Sequence, residues 1–372
     1  MKRVLIIGGY GNFGGYIARS LAADPAIRVI IGGRSLARAK AFAATLDPRV
    51  CVEQAKIDID ADFQSALAVV APDVVVHTVG PFQRQDYRVA RACIAHGAHY
   101  IDLADARAFV AGIWALDESA RARQVVVISG ASSVPCLTSA VVDHYLANFD
   151  RLETLDYGIT AAQETNRGLA TASAVLSYVG RRFPALRDGQ QKDVYGWQDI
   201  HIVRYPELGR RLFGNCDVPD LEIFPERYRS VRDIRFAAGH EIAALHLATW
   251  WLSWLVRIRL LRRLDRFALS LLKGSFVFDR LGSSKSGMHL FLSGVGKDGE
   301  RKCIRFFLIA RRGHGPYVPC MPAILLARRL ALGESISPGA RPCLDLIDLP
   351  TYLKALAGYD ISVIVEGADA PS

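Results

Sequence analysis

The stretch Val4 to Ala23, VLIIGGYGNFGGYIARSLAA, combines an apolar run, a glycine-rich turn and a helical repeat. The apolar run predicts a buried strand, and the apolar positions after the turn recur with a helical period. Gly9, Gly11 and Gly14 match G-x-G-x-x-G. These glycines permit a tight turn, close approach of a pyrophosphate, and close packing of helix on strand. A second strand signal, Arg28 to Ile31, follows at the spacing of a βαβ unit, so the stretch predicts a dinucleotide-binding site.

The start of the first helix is expected to hold the phosphates. Asn12 and Phe13 lie between the second and third glycines of the motif. Backbone N–H groups and the positive end of the helix dipole favour an anion at such a position. We therefore predict cofactor binding by Gly9, Gly11, Asn12, Phe13 and Gly14.

The composition limits the class of protein. A chain of 372 residues is long enough for two domains, and 51% hydrophobic with 22% charged residues is typical of a folded globular protein. The net charge of +9 favours anionic partners. No basic run is interleaved with aromatic residues as in nucleic-acid-binding modules, so we predict no nucleic-acid partner.

The amino terminus and the cysteines indicate a compartment. The first apolar run lasts four residues before Gly8, too short for a secretory signal, and the seven cysteines are scattered without C-x-x-C spacing. These features predict a cytoplasmic protein. No metal site is predicted, because Ala244 stands where a second histidine would follow His240 and Glu241 in a zinc-binding helix.

Strand and helix signals alternate as far as residue 150 and then change. The alternation predicts a parallel, doubly wound α/β sheet covered on both faces. Beyond it we predict a helix over Leu169 to Phe183, a long connection over Arg187 to Arg229 and a helix over roughly Glu241 to Leu272. Gly287 to Val295 and Arg301 to Ile309 read as a hairpin, which indicates a mixed or antiparallel second sheet.

The end of the second strand suggests which cofactor is bound. The sequence there is Gly32-Gly33-Arg34-Ser35, without the carboxylate that accepts the ribose hydroxyls of NAD. Arg34 and Arg38 can pair with a 2′-phosphate, and Ser35 can cap the next helix. We therefore predict NADP in preference to NAD, the alternative being that both arginines are simply solvated.

Two further turns follow strand signals. Gly80 and Pro81 come after the predicted strand Val74 to His77, where turns commonly border the nicotinamide ribose. Ser132 follows the strand Val125 to Ile128 and is predicted to contact the nicotinamide amide. An ordinary strand-to-helix loop is the alternative for the Gly80–Pro81 turn.

Three segments resemble the saccharopine dehydrogenase-like NAD(P)-binding family. GPFQRQDYRVARACIAHGAHYIDLAD, from Gly80 to Asp105, is similar to the family's Gly-Pro turn, helix and Tyr-x-Asp-Leu element, and ISGASSVPCLTSAVVD, from Ile128 to Asp143, resembles the segment that introduces its next helix. The helix end Leu330 to Gly333 resembles its closing segment. The family's serine-tyrosine pair is replaced by Ala104 and Asp105, which argues against saccharopine itself as the substrate.

The resemblance implies an organisation and an activity. It implies a Rossmann NADP-binding domain at residues 1–150, completed by about 318–360, with an inserted α+β substrate and dimerisation domain at 151–317. It also implies a homodimeric oxidoreductase that transfers a hydride to an imine or enoyl-type small-molecule acceptor. The alternatives are a nucleotide-binding membrane-associated or scaffold protein without turnover, and a transferase that uses the cofactor transiently.

Hydride transfer needs orientation of the acceptor and a proton source. Among polar residues near the predicted strand ends we favour Asp105, Tyr87 and Gln83 as catalytic candidates. Asp102 is expected to brace the structure, and His77, on an apolar strand, to be a core histidine.

Two features of the second domain suggest binding surfaces. Thr165 to Gly168 precedes a predicted helix, and Arg167 there can hold an acidic group of the substrate, with a solvated loop as the alternative. The predicted helix through Trp250 to Arg266 carries tryptophans and arginines, which fits peripheral contact with an anionic membrane or, alternatively, a subunit interface.

Overall fold

The computed structural model describes residues 1–165, 168–262 and 264–368. Its strands are β1 (Lys2–Ile7), β2 (Ile27–Gly33), β3 (Val52–Lys56), β4 (Val74–His77), β5 (His99–Asp102), β6 (Val126–Ser129), β7 (Phe149–Ala161), β8 (Arg182–Arg187), β9 (Gln190–Tyr195), β10 (His201–Tyr205), β11 (Gly209–Asn215), β12 (Asp233–His240), β13 (Ser286–Gly296), β14 (Arg301–Ala310), β15 (Gly339–Pro342) and β16 (Ile361–Glu366).

The helices are α1 (Asn12–Ala22), α2 (Leu36–Ala43), α3 (Phe63–Val70), α4 (Arg88–His96), α5 (Arg107–Ala111), α6 (Asp117–Ala122), α7 (Thr138–Leu146), α8 (Leu169–Tyr178), α9 (Asp220–Arg227), α10 (Ala243–Arg257), α11 (Ala268–Ser275), α12 (Tyr317–Ala331) and α13 (Leu349–Leu356). Short 3₁₀ segments lie at Phe82–Arg84, Gly112–Leu116, Leu264–Phe267 and Phe276–Leu281.

The chain divides into two compact units, a first unit of residues 1–137 and 316–347 and a second unit of residues 138–315 and 348–372. These bounds differ from the expected 1–150, 151–317 and 318–360. The chain after residue 347 belongs to the second unit because β16 pairs with β14, with Val363 opposite Leu308. It also begins at α7, eleven residues before β7.

The first unit is built on a seven-stranded parallel sheet in the order β15-β6-β5-β4-β1-β2-β3. Both faces of β1 are covered, since Leu5 and Ile7 on one face and Val4 and Ile6 on the other are all buried. Helices separate the strands, as the alternating signals predicted. The predicted parallel, doubly wound α/β fold is confirmed.

Local chemistry explains several helix ends in the first unit. The Ser35 hydroxyl caps α2 by accepting from the Arg38 amide at 3.3 Å, and Gly97 ends α4 with a φ of +82°. The cap of α3 is Asp62, whose carboxylate accepts from the Ser65 backbone N–H at 3.1 Å, and α3 begins at Phe63.

The second unit is built on a mixed sheet in the order β10-β11-β12-β7-β13-β14-β16, with β8 and β9 as a separate hairpin. Strands β7 and β12 are parallel, and the other neighbours are antiparallel. The predicted hairpin of β13 and β14 is confirmed, with Gly299 at φ +84° in its turn. The expected inserted α+β architecture is thus observed.

Three predictions in the second unit are wrong. The region 187–229 is not a long connection but contains β9, β10, β11 and α9. The helix expected to reach Phe183 stops at Tyr178, because Gly180 adopts φ +66° and the chain turns into β8. The helix expected over Glu241 to Leu272 ends at Arg257, and Arg259 has a φ of +63°.

Candidate functional site

The turn between β1 and α1 is a backbone cradle that only glycine fits. A Cβ on Gly14 would lie 2.2 Å from the Gly8 carbonyl oxygen, and one on Gly9 would lie 3.0 Å from the Ile6 carbonyl oxygen. Gly8 itself adopts φ +82°, and the Gly11 amide donates to its carbonyl oxygen at 2.7 Å. The turn therefore brings the start of α1 down onto the end of β1.

Space remains where a pyrophosphate would approach. Gly11 is exposed, and a Cβ there would lie 2.9 Å from the Gly8 carbonyl oxygen but would meet no group other than that carbonyl within 4 Å, apart from its chain neighbours. The helix that starts there has 11 residues and no side-chain cap, so its positive end faces this opening. Gly9, Gly11, Asn12, Phe13 and Gly14 are thus brought together in a geometry that fits a dinucleotide.

Tyr10, inside the same turn, contacts the end of β2. Its hydroxyl accepts a hydrogen bond from the Ser35 amide at 3.0 Å, and the Arg38 guanidinium lies 4.8 Å from its ring centroid. A Cβ on Gly33 would lie 2.4 Å from the same ring, so the glycine makes room for it. Sequence reasoning missed Tyr10, although an aromatic residue in G-Y-G opposite the Gly32-Gly33 pair was a usable signal.

The end of β2 presents two exposed basic side chains. Arg34 and Arg38 are both exposed, with Ser35 between them at the start of α2. Within the described part of the chain the Arg34 guanidinium has no hydrogen-bond or ion-pair partner. The loop therefore offers an anion two guanidinium groups and one hydroxyl.

The turn after β4 adjoins the glycine cradle. The Thr78 hydroxyl donates to the Ile7 carbonyl oxygen at 2.8 Å, and a Cβ on Gly8 would lie 2.7 Å from the Thr78 oxygen. The Gly80–Pro81 peptide bond is cis. The side-chain amide of Gln85 donates to the Val79 carbonyl oxygen at 2.7 Å and to the Pro81 carbonyl oxygen at 3.3 Å. Gln85, which the sequence did not single out, therefore holds this turn.

Two of the three catalytic candidates lie together. The side-chain amide of Gln83 donates to a carboxylate oxygen of Asp105 at 3.1 Å, and the two residues are 22 positions apart in the chain. Burial raises the pKa of the Asp105 carboxyl above its ordinary value, and the hydrogen bond from Gln83 partly opposes this. The pair can hold and donate a proton at the carboxyl ends of the parallel strands.

The third catalytic candidate, Tyr87, makes a separate interaction. Its hydroxyl donates to the Phe109 carbonyl oxygen at 2.7 Å, and its ring packs on the Phe109 ring at 4.8 Å. Burial raises the pKa of the hydroxyl. The structure therefore gives Tyr87 a bracing contact and does not bring it into the Gln83–Asp105 pair.

Asp102 ties the ends of β5 and β6 together. One oxygen of this fully buried carboxyl accepts from the Gly130 amide at 2.8 Å, the Ala104 amide at 2.9 Å and the Ser129 hydroxyl at 3.0 Å. Burial raises its pKa to about 6. These bonds fix the loop that leads to Ser132, so Asp102 braces the site as expected.

His77 is part of the same buried region. It is 1% exposed, its Nδ1 lies 3.0 Å from the Tyr100 hydroxyl, and burial lowers its pKa to about 3. A neutral histidine inside the fold is the expected core histidine.

The two binding features predicted in the second unit lie partly outside the described residues. Asn166 and Arg167 lie outside the described residues, as does Arg263 in the tryptophan- and arginine-bearing segment. That segment is not one helix through Trp250 to Arg266, because α10 ends at Arg257. Among the described residues, no helix is both long and apolar enough to cross a bilayer.

A glycine cradle at the crossover of a parallel sheet defines an NAD(P)-binding dehydrogenase fold. Residues 4–128 match the family model described as saccharopine dehydrogenase NADP binding domain. This segment, about a third of the chain, belongs to that domain family, and the resemblance seen in the sequence is confirmed. The chain therefore carries a saccharopine dehydrogenase-like NADP-binding domain within its first unit.

One solved structure extends the likeness in fold to the whole chain. Apo saccharopine dehydrogenase (L-Glu forming) from Saccharomyces cerevisiae superposes with a TM-score of 0.69 at 12% identity, covering 98% of this chain and 100% of that one. The amine dehydrogenase from Mycobacterium smegmatis gives a TM-score of 0.46 at 12% identity, covering 91% and 94%. A comparison with curated protein sequences finds no match. The yeast enzyme shows the shared fold.

Proposed function

We propose that this chain is an NADP-dependent oxidoreductase that transfers a hydride to an imine or enoyl-type small-molecule acceptor. The observation that carries the proposal is the loop after β2, where Arg34, Ser35 and Arg38 surround an exposed anion-binding position. The other parts of the proposal rest on the site geometry and on the resemblance to the family.

Preference for the 2′-phosphate follows from charge and pre-organisation. Residues 32–38 contain no Asp or Glu, so nothing there would accept the ribose hydroxyls of NAD or repel a phosphate. The Tyr10 ring packs against the Arg38 guanidinium, which reduces the conformational entropy that this side chain would lose on binding. Arg34, without a partner among the described residues, can add a bidentate pair.

The chain's own groups supply binding, orientation and a proton. The glycine cradle and the start of α1 bind the phosphates, and the Gly80–Pro81 turn and Ser132 are proposed to border the nicotinamide. When bound, the nicotinamide provides the hydride. Asp105, its pKa raised by burial and its orientation set by Gln83, is proposed to donate the proton from its carboxyl oxygen. Tyr87 is proposed to position the neighbouring segment through Phe109.

Cofactor titration tests the phosphate preference. The wild-type chain should bind NADPH at least tenfold more tightly than NADH. Arg38→Ala should weaken NADPH binding by about tenfold to a hundredfold and leave NADH binding unchanged, since a charge-assisted pair to phosphate contributes about 1.5–3 kcal/mol. Arg49→Ala, at a side chain 88% exposed and paired with Asp47, is the matched control. Equal affinity for the two cofactors would contradict the proposal.

Turnover tests the activity. A panel of imines and enoyl thioesters should include an acceptor that oxidises NADPH, and Asp105→Asn should lower kcat with little effect on the Kd of NADPH. Gly11→Val should block phosphate binding and so abolish both NADPH binding and turnover. NADPH binding without turnover of any acceptor would favour a scaffold, and product formation without net NADPH consumption would favour a transferase.

The assembly and location are proposed on the family resemblance and the sequence. We propose a cytoplasmic homodimer whose subunits meet through the second unit. Light scattering of the purified chain should give twice the mass of 40.8 kDa, and a monomer at micromolar concentration would rule the dimer out.

A further inference from the structure

The two ends of residues 242–282, a segment that contains α10 and α11, meet at one carboxylate of the second unit. The Glu241 carboxylate, just before it, accepts from the Ser283 amide at 3.0 Å and the Ser283 hydroxyl at 2.6 Å, just after it. The same carboxylate accepts from the backbone N–H of Gln163 at 2.7 Å and forms an ion pair with Arg211 at 3.3 Å. We call this set of contacts the clasp, and residues 242–282 the helical excursion.

The helical excursion concentrates the exposed apolar side chains of the molecule. Of nineteen exposed large apolar residues in the described chain, it carries eleven. They are Leu247, Trp251, Trp254, Ile258, Leu260, Phe267, Leu269, Leu271, Phe276, Val277 and Leu281. Exposure reaches 63% at Trp251 and 78% at Val277. Soluble surfaces rarely gather apolar residues in this way unless something binds them.

The same segment is strongly basic. Its sequence has seven arginine and lysine residues against two aspartates, a net charge of +5 within a chain of +9. The described basic side chains are all exposed: Arg257, Arg259, Arg262, Arg266, Lys273 and Arg280. Basic and apolar groups therefore occupy one continuous stretch of chain.

The dimensions suit binding on a bilayer surface. Helix α10 has 15 residues, about 22 Å at 1.5 Å per residue, whereas the hydrocarbon core is about 30 Å thick. Helix α11 has 8 residues. Short helices with apolar and basic side chains lie in the interface, where tryptophan is enriched.

We propose that the helical excursion is a docking surface for an anionic lipid bilayer. Apolar side chains would enter the headgroup boundary while the arginines meet lipid phosphates and carboxylates. A second copy of the chain is the less suitable occupant, because a twofold contact would set +5 against +5. This surface is independent of the cofactor site, so each can fail without the other.

Vesicle co-sedimentation of the full chain tests the proposal. The protein should pellet with vesicles of phosphatidylserine and phosphatidylcholine, and at least tenfold less with phosphatidylcholine alone. Trp251→Gln combined with Val277→Ser should reduce the bound fraction about tenfold. Trp114→Gln, at a tryptophan 54% exposed in the first unit, should leave binding unchanged. Comparable thermal unfolding of the variants establishes that they fold.

Charge and assembly variants complete the test. Arg259→Gln combined with Arg280→Gln should weaken binding to anionic vesicles, and raised salt should do the same to the wild-type chain. Failure of the wild-type chain to bind anionic vesicles would overturn the proposal. So would a shift from dimer to monomer in Trp251→Gln and Val277→Ser without any vesicle binding, since it would identify a second copy as the occupant.

Discussion

The glycine cradle of the first unit and the helical excursion of the second present opposite kinds of surface. In the cradle, Gly9, Gly11 and Gly14 carry no side chains, and a Cβ on Gly14 would lie 2.2 Å from the Gly8 carbonyl oxygen. In the excursion, large apolar and basic side chains are exposed along one segment. A single added methyl group should therefore disable the first surface, whereas the second should lose function gradually as side chains are removed.

The two regions are also held differently. The cradle is fixed by backbone geometry between neighbouring strands, with the Gly8 backbone N–H donating to the Gly32 carbonyl oxygen at 2.9 Å. The two ends of the excursion are joined by one carboxylate, Glu241, which bonds residues more than forty positions apart along the chain. Local geometry is robust to distant change, whereas a single long-range contact is not.

The largest effect is expected in the cradle. Gly14→Ala should destabilise the fold by about 3 kcal/mol or more, because the Gly8 carbonyl group must move, and should weaken NADPH binding more than a hundredfold. Gly358→Ala is the matched control, since a Cβ there meets no atom within 4 Å. Denaturant unfolding and cofactor titration measure both effects; a Gly14→Ala chain with wild-type NADPH affinity would contradict the role of the cradle.

The clasp should show the next largest effect. Glu241→Gln removes the negative charge that pairs with Arg211. It also replaces one acceptor oxygen by an NH₂ group, which cannot accept from the N–H and O–H groups that bond to the carboxylate. Together these changes should lower the free energy of unfolding by about 2 kcal/mol. Hydrogen exchange should accelerate in residues 242–282 before it does so in the first unit. Glu334→Gln, whose partner is the partly exposed Arg329, should change neither quantity. Uniform acceleration across both units would show that the clasp is not local.

The smallest effect concerns pH and a buried carboxyl of the second unit. Burial raises the pKa of Asp220 to about 7, with the Thr138 hydroxyl donating to it at 2.5 Å. The folded state therefore keeps a proton that the unfolded state loses above about pH 4, so this group's contribution to the free energy of unfolding falls as pH rises toward 7.

Asp220→Asn should remove that dependence. Between pH 5 and pH 7 the variant should gain about 1 to 2 kcal/mol of stability relative to wild type. Asp62→Asn is the control: hydrogen bonds from Ser65 lower the pKa of Asp62, so its titration lies below this range. Denaturant unfolding at the two pH values measures the difference, and parallel curves for Asp220→Asn and wild type would refute the buried proton.

Sequence reasoning was most successful where structure depends on neighbouring residues. The strand Val74–His77 and the hairpin of β13 and β14 were predicted from local patterns, and the fold class followed from the alternation of strands and helices. The hairpin of β8 and β9 was missed, although Asp188 and Gly189, both with positive φ, give a two-residue turn signal.

The amino-acid sequence by itself determined the dinucleotide-binding fold, because a glycine turn and a parallel sheet are specified by residues close along the chain. Only the tertiary structure decided that Gln83 meets Asp105, that Tyr10 supports Arg38, and that a long apolar stretch breaks at Arg259. Each of these depends on contacts or backbone angles fixed by packing, which composition and periodicity do not encode. The same reason applies to the helical excursion, since only the folded chain shows which of its apolar side chains are exposed.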